Sequence, residues 1–214
     1  MDILNSVSSD VLKFAITVIT ILNPIGVIPI YLSITDRFSE DRTRVIARTC
    51  AITVMLTICL TLILGQQILN FFGISIASFT VGGGLLICSM AFSMISAKQS
   101  QAKINPDEIE QTIDEREIGI VPLAIPLLAG PGVMSTSIIQ SKSFTTPYHW
   151  LGSLMVVLFV GLLIFIIFNS GKKIAQKLGP VGVNVMTRIM GIILLAISIE
   201  MISKGIKDLF PILS

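Results

Sequence analysis

Residues 49–97, TCAITVMLTICLTLILGQQILNFFGISIASFTVGGGLLICSMAFSMISA, contain no charged side chain. A helix needs about 20 apolar residues to cross a bilayer, so this stretch is long enough for two crossings. Its polar and glycine residues between Gly65 and Gly73 mark the place where the chain would turn. The stretch therefore predicts two consecutive membrane-spanning helices.

The composition of the whole chain agrees with this interpretation. Of the 214 residues, 53% are hydrophobic and 13% are charged, whereas soluble domains carry roughly 25% charged residues. Further uncharged runs cover residues 14–35, 118–141 and 143–171. We predict an all-α membrane protein, a single domain over 1–214. Its six predicted spans lie near 12–34, 47–68, 74–97, 118–140, 150–170 and 185–206.

The two halves of the chain resemble each other. A shift of 107 places residues 80–96 on 187–203 with five identities, and a shift of 106 places Gly26-Val27 on Gly132-Val133. The predicted units are repeat one (about 1–97), a connecting loop (about 98–117) and repeat two (about 118–214). Because each repeat has three spans, the second must be inverted in the membrane. Inverted repeats are typical of secondary transporters, whose site lies between the repeats near the bilayer centre.

Proline and glycine interrupt the first and fourth spans near their midpoints, at Asn23-Pro24-Ile25-Gly26 and Ala129-Gly130-Pro131-Gly132. Proline lacks an N–H and clashes with the preceding turn. Irregular backbone persists in lipid only where it is buried in protein or lines a wet cavity. We therefore predict two discontinuous helices that form a binding site; a pair of proline kinks used only for helix packing is the alternative. Their ends offer N–H groups for a carboxylate, and carbonyls with the Asn23 side chain for an ammonium group.

These considerations select candidate site residues. The predicted substrate-binding residues are Asn23, Pro24, Ile25, Gly26, Ala129, Gly130, Pro131, Gly132, Ser135 and Thr136. For the two hydroxyl residues, bonding back to the preceding turn is an equal alternative. Asn184, Arg188 and Glu200 in span six are candidates for coupling or gating; an interfacial Arg188 and an exposed Glu200–Lys204 pair are the alternatives.

We expect no cofactor and no metal, because the three cysteines lack metal-ligand spacing. The coupling ion, H⁺ or Na⁺, stays open. The expected partners are the lipid bilayer and a small zwitterionic substrate, with no nucleic acid; association into a homo-oligomer stays open. The loops after spans one, three and five hold eleven Lys and Arg residues, against four on the other side. The positive-inside rule then predicts a multi-pass membrane protein with both termini outside the cytoplasm.

Three motifs together resemble the MarC family of bacterial and archaeal membrane proteins: residues 23–29, 121–132 and 182–191. The resemblance implies six spans and a plasma-membrane location. By similarity to SnatA-type members, it also implies transport of glycine, alanine and related small neutral amino acids. The residues that match the signature positions of the broken helices are Asn23, Pro24, Gly26, Gly130, Pro131 and Gly132.

Three other functions remain as alternatives. Efflux of drugs or other small solutes would need a large aromatic pocket, yet Tyr31 is the one aromatic residue near the first cluster, and residues 118–140 contain none. An intramembrane enzyme would need a nucleophile with a base, and the sole histidine, His149, lies in a predicted outer loop; we expect no enzymatic activity. A regulatory membrane protein without transport is the third alternative.

Overall fold

The computed structural model describes residues 2–35, 38–96, 115–142 and 144–210, and the secondary structure within these ranges is helical. The helices are α1 (Asp2–Leu22), α2 (Ile28–Thr35), α3 (Glu40–Phe71), α4 (Ile76–Ile95), α5 (Glu115–Ile118), α6 (Gly119–Leu128), α7 (Pro131–Ser141), α8 (Pro147–Asn169) and α9 (Gly171–Leu209). Residues 98–114 of the predicted connecting loop lie outside the described residues.

Four of the described helices are long and apolar enough to cross a membrane: Glu40–Phe71, Ile76–Ile95, Pro147–Asn169 and Val181–Leu209. They correspond to predicted spans two, three, five and six, so the prediction of an all-helical membrane protein is confirmed. Helix α3 begins earlier than predicted because Ser39 caps it. The Ser39 hydroxyl accepts the N–H of Arg42, and acidic residues occupy the first turn, where they oppose the positive end of the helix dipole.

Helix α9 also begins earlier than predicted, and Gly179 bends it. The backbone of Gly179 has φ 67° and ψ 171°, a conformation that L side chains rarely adopt. The part before the bend carries three lysines, and the Lys172 ammonium donates to the Phe38 carbonyl at 2.7 Å. The bend therefore separates a short basic segment from the apolar span that begins at Val181.

Predicted spans one and four are each divided into two helical segments. The first consists of α1 and α2, with a break over residues 23–27. The fourth consists of α6 and α7, with a break at residues 129–130. Both breaks fall within the proline- and glycine-containing clusters.

Helices α3 and α8 form the centre of the bundle. Their facing sides bury small and β-branched residues, among them Cys50 and Val54 of α3 and Val157 of α8. Next to them, the ring of Tyr31 on α2 stacks on Phe168 at 4.2 Å, and its hydroxyl donates to the Thr43 carbonyl at 3.0 Å. Because lipid is as apolar as these side chains, close van der Waals packing and such hydrogen bonds hold the helices together.

Helices α4 and α9 pack extensively against each other. A Cβ atom placed on Gly84 would lie 2.7 Å from Ile202 Cγ1, and one on Gly191 would lie 2.9 Å from Ile95 Cγ1. Only glycine allows such a close approach of the two backbones. In the apolar 18-residue stretch of each of these helices, 22% of the residues are buried, whereas 44% are buried in the corresponding stretch of α3. The α4–α9 pair is therefore peripheral to the bundle.

The principal contacts in the described structure join the first half of the chain to the second. Helix α3 packs on α6, α7 and α8, while α1 packs on α7 and α8. Helix α2 contacts α9, and α4 contacts α7 and α9. Neither half therefore has a hydrophobic core of its own; the halves interlock.

Candidate functional site

The first helix break is organised by Asn23. Its φ of 41° is positive, and asparagine tolerates this left-handed conformation better than most side chains. The side-chain carbonyl of Asn23 accepts the Gly26 N–H at 3.3 Å. The side-chain amide donates in the other direction, to the sulfur of Met190 on α9 at 3.3 Å. Asn23 thus closes the turn with one end of its side chain and reaches a different helix with the other.

The same turn leaves carbonyls at the end of α1 without their usual donors. Pro24 has no N–H that could donate to the Thr20 carbonyl. The Gly26 N–H donates to the Asn23 side chain instead of the Leu22 carbonyl. A Cβ atom on Gly26 would overlap the Asn23 amide nitrogen and lie 2.9 Å from the Met190 sulfur. Glycine is therefore the residue that fits at position 26.

The second break follows a segment of wide, π-type turns. Within α6, Val121 and Ile125 are extended, with φ near −127° and −125°. Each precedes a proline in the sequence, and proline disfavours the helical conformation in the residue before it. The segment ends when the Ala129 N–H donates to the Ala124 carbonyl at 2.8 Å. Gly130 is then extended, and α7 starts at Pro131.

The beginning of α7 offers N–H groups. No side chain caps this end. Pro131 supplies no N–H, and the Met134 N–H already donates to the Gly130 carbonyl at 3.1 Å. The N–H groups of Gly132 and Val133 are those that a helix leaves unpaired in its first turn.

A small cavity lies between the two breaks. Asn23 from the first break and Gly130 and Gly132 from the second line it, together with Met90 of α4. The cavity has a volume of about 20 Å³, which is enough for a single water molecule. This space is smaller than an amino acid, so a substrate would fit only if the surrounding helices separated.

Eight of the twelve lining residues are related by the internal repeat. The pairs are Ile21 and Leu127, Leu22 and Leu128, and Val27 and Val133 at a shift of 106, and Ile87 and Leu194 at a shift of 107. Asn23 has no polar counterpart, because the position 106 residues later is Ala129. The lining is therefore matched in apolar residue type between the halves, and among the described residues its one polar side chain belongs to the first half.

The structure brings part of the predicted site together. Asn23, Gly130 and Gly132 line the cavity, and Pro24, Gly26 and Ala129 are buried beside it. Pro131 and Thr136 are half-buried, whereas the Ile25 side chain is 53% exposed and does not line the cavity. The Ser135 hydroxyl donates back to the Gly132 carbonyl at 3.1 Å, which is the alternative that the sequence left open.

The coupling candidates lie elsewhere on α9. Asn184, Arg188 and Glu200 are exposed and do not line the cavity. Sequence reasoning missed the contributions of α4 and α9, including Met90 and Met190. The repeat alignment could have suggested Ile87 and Leu194 as a pair, but no local signal marks Met190. Among the described residues, no group of three His, Cys, Asp or Glu side chains could hold a metal ion.

With four helices suited to crossing a bilayer, the molecule is an integral membrane protein. The chain belongs to the MarC family: residues 8–210 match the family described as MarC family integral membrane protein. The resemblance seen in the three motifs is thereby confirmed.

Relatives are similar over nearly their full length. The chain is 37% identical over 199 residues to the UPF0056 membrane protein YhcE of Escherichia coli, covering 93% of each chain. A UPF0056 membrane protein of Buchnera aphidicola is 38% identical over 205 residues, with 94% of each chain covered. The UPF0056 membrane protein YvbG of Bacillus subtilis is 32% identical over 200 residues, covering 93% of this chain and 95% of YvbG. No solved structure matches the chain.

Proposed function

We propose that the protein is a secondary transporter that moves small neutral amino acids, such as glycine and alanine, across the bacterial inner membrane by alternating access. The observation that carries this proposal is the cavity between two helix breaks, lined by Asn23 and by the uncapped start of α7. Helix breaks that face each other near the bilayer centre are the usual place for a transporter's substrate.

The polar groups at the cavity suit a zwitterion. The Asn23 amide and the first N–H groups of α7 are donors for a carboxylate, and the start of a helix carries partial positive charge. The freed carbonyl belongs to Leu22, which lines the cavity, and it is an acceptor for an ammonium group. The sequence had suggested the Asn23 side chain for the ammonium. Because its oxygen already accepts from Gly26, whereas its nitrogen has only the weakly accepting Met190 sulfur as partner, we assign its amide to the carboxylate instead.

The lining also favours a small substrate over a drug. The described residues of the lining include no aromatic side chain, and glycines at positions 130 and 132 bring backbone close to the space. The side chains that line the cavity include no acid, base or nucleophile, so we propose transport and no catalysis. A regulatory protein without transport would not need matched helix breaks around a shared cavity.

The repeat-related lining supports an arrangement of six spans in two inverted repeats, with both termini outside the cytoplasm as the distribution of Lys and Arg predicts. The interlocked packing disfavours a simple rocking of one repeat against the other, because the described helices of each repeat pack mainly on helices of its counterpart. We propose that the peripheral α4–α9 pair moves against the other spans and opens the cavity to each side in turn.

The test is flux of labelled glycine and alanine in proteoliposomes under imposed Na⁺ and pH gradients. Wild-type protein is compared with Asn23→Ala and Gly132→Leu, and with Gly82→Ala as a matched control, because a methyl group at Gly82 meets open space. We expect flux in the wild type and the control and little in the two site variants. Absence of flux in every gradient, or equal flux in all four proteins, would refute the proposal.

A further inference from the structure

Met190 makes the one polar contact between α9 and the first helix break within the described structure. Its sulfur accepts the Asn23 side-chain amide at 3.3 Å, across 167 positions of sequence. The sulfur also lies 2.9 Å from where a Cβ on Gly26 would be. Met190 therefore contacts both the polar side chain of the cavity and the glycine that shapes the turn.

The Met190 sulfur is a weaker hydrogen-bond partner than the Asn23 amide requires. A thioether is a weak acceptor, whereas an amide N–H left without any partner in an apolar site is costly. Met190 thus gives one N–H of the Asn23 amide a partner while no substrate is bound, but a poor one. A carboxylate is a much stronger acceptor, since hydrogen bonds to ionised groups are about twice as strong as neutral ones.

We propose that Met190 is a positioning residue for the substrate: its sulfur holds the Asn23 amide in the empty, closed state and is displaced by the substrate's carboxylate. This inference rests on the proposed function and narrows it. When the carboxylate takes the amide, α9 loses its polar contact with the first break, so binding is coupled to release of the α4–α9 pair. A ligand without a carboxylate does not trigger that exchange.

The chain offers a matched control in Met201. It lies on the same helix and contacts the other break, with its sulfur 3.2 Å from where a Cβ on Gly132 would be. The two methionines are eleven positions apart, which is close to three helical turns, so both lie on one side of α9. Met201 packs against Gly132, which has no side-chain amide. Leucine conserves the side-chain volume of methionine at either position.

The experiment measures glycine binding to purified protein carrying Met190→Leu or Met201→Leu, with glycinamide as the ligand that lacks a carboxylate. Because Met190→Leu removes the competitor for the Asn23 amide, we expect glycine to bind about two- to tenfold more tightly than to wild type. Met201→Leu should bind glycine like the wild type, and glycinamide should bind none of the three proteins at comparable concentration. Equal glycine affinities for the two variants, weaker binding to Met190→Leu, or binding of glycinamide would overturn the proposal.

A second measurement needs no substrate. The unfolding temperatures of Asn23→Ala, Met190→Leu and the double variant form a cycle that isolates the coupling between the two side chains. We expect the double variant to be less destabilised than the sum of the single ones. Absence of glycine binding by wild type would remove the proposed function and with it the displacement step. If the effects on unfolding temperature are additive while wild type still binds glycine, only the proposed role of Met190 is overturned and the proposed function stands.

Discussion

Gly84 of α4 packs against Ile202 of α9, and the same contact occurs a second time with the halves exchanged. The positions related to them by the shift of 107 are Gly191 and Ile95, and these two residues also meet. In both cases the glycine faces the Cγ1 and the backbone nitrogen of the isoleucine. A contact that recurs with its partners exchanged is what a two-fold axis produces, and it supports the inverted repeats on which the proposed transport cycle depends.

The first prediction concerns which helices move together. In a protein whose free cysteines Cys50, Cys59 and Cys88 have been replaced, a disulfide between Gly84→Cys and Ile202→Cys should leave glycine flux nearly unchanged. The reason is that α4 and α9 move as one unit in the proposed cycle. The measurement is flux before and after oxidation.

The comparison is a cross-link between Gly83→Cys and Pro131→Cys, which ties α4 to α7. Because a Cβ on Gly83 would overlap Pro131, the reference for flux is the same double variant in its reduced form. This cross-link should stop flux, and reduction should restore it. Both cross-links join the two halves of the chain. If both stop flux, the repeats move against each other and the α4–α9 pair is not the moving unit.

The second prediction compares two neighbouring glycines of α4. Gly83→Ala should destabilise the protein by about 1–3 kcal/mol, because the new methyl group overpacks against Pro131 at the start of α7. Gly82→Ala should be neutral or stabilise by about 0.5–1 kcal/mol, since alanine favours helix and its methyl group meets open space. Thermal unfolding in detergent checks the order, and equal midpoints would show that α4 and α7 do not pack as described.

The third prediction separates the backbone role of Asn23 from its side-chain role. Both Asn23→Gly and Asn23→Ala remove the amide, but glycine accepts the positive φ of 41° and alanine does not. We expect both variants to lose most glycine flux, with Asn23→Ala less stable than Asn23→Gly by about 1–2 kcal/mol. Unfolding midpoints and flux are measured on the same preparations. Full flux in Asn23→Gly would mean that only the turn matters.

The fourth prediction addresses two glycines with positive φ and open surroundings, Gly73 at φ 66° and Gly179 at φ 67°. Alanine at either position meets no neighbouring atom, so its cost is conformational, about 1–2 kcal/mol. Each variant should unfold at a lower temperature than wild type. A midpoint equal to that of wild type for Gly179→Ala would mean that α9 runs straight through position 179.

Much of the fold was predictable because it depends on local chemistry. Hydropathy placed four continuous spans, and the proline clusters placed both breaks within a few residues. The wide turns of α6 have a local cause as well, because Val121 and Ile125 each precede a proline. The helix ends at Glu40 and Gly171 were missed because charged and polar turns extend beyond the apolar runs.

The site was only partly predictable, and Ile25 and Asn23 show why. Ile25 belongs to the first cluster, but the direction of the turn exposes its side chain. The Asn23 side chain was expected to bind an ammonium group, yet its oxygen accepts the Gly26 N–H. Both outcomes depend on dihedral angles within the turn, which residue types restrict but do not specify.

Residue chemistry alone therefore established that the chain spans a membrane, where its helices are interrupted and which backbone groups an interruption frees, because apolar length and the missing N–H of proline act within a few residues. The tertiary structure alone decided that α9 supplies Met190 to the first break, that Ile87 and Leu194 meet across one cavity, and that the halves interlock. Those contacts join residues more than a hundred positions apart, and their partners are selected by how whole helices pack.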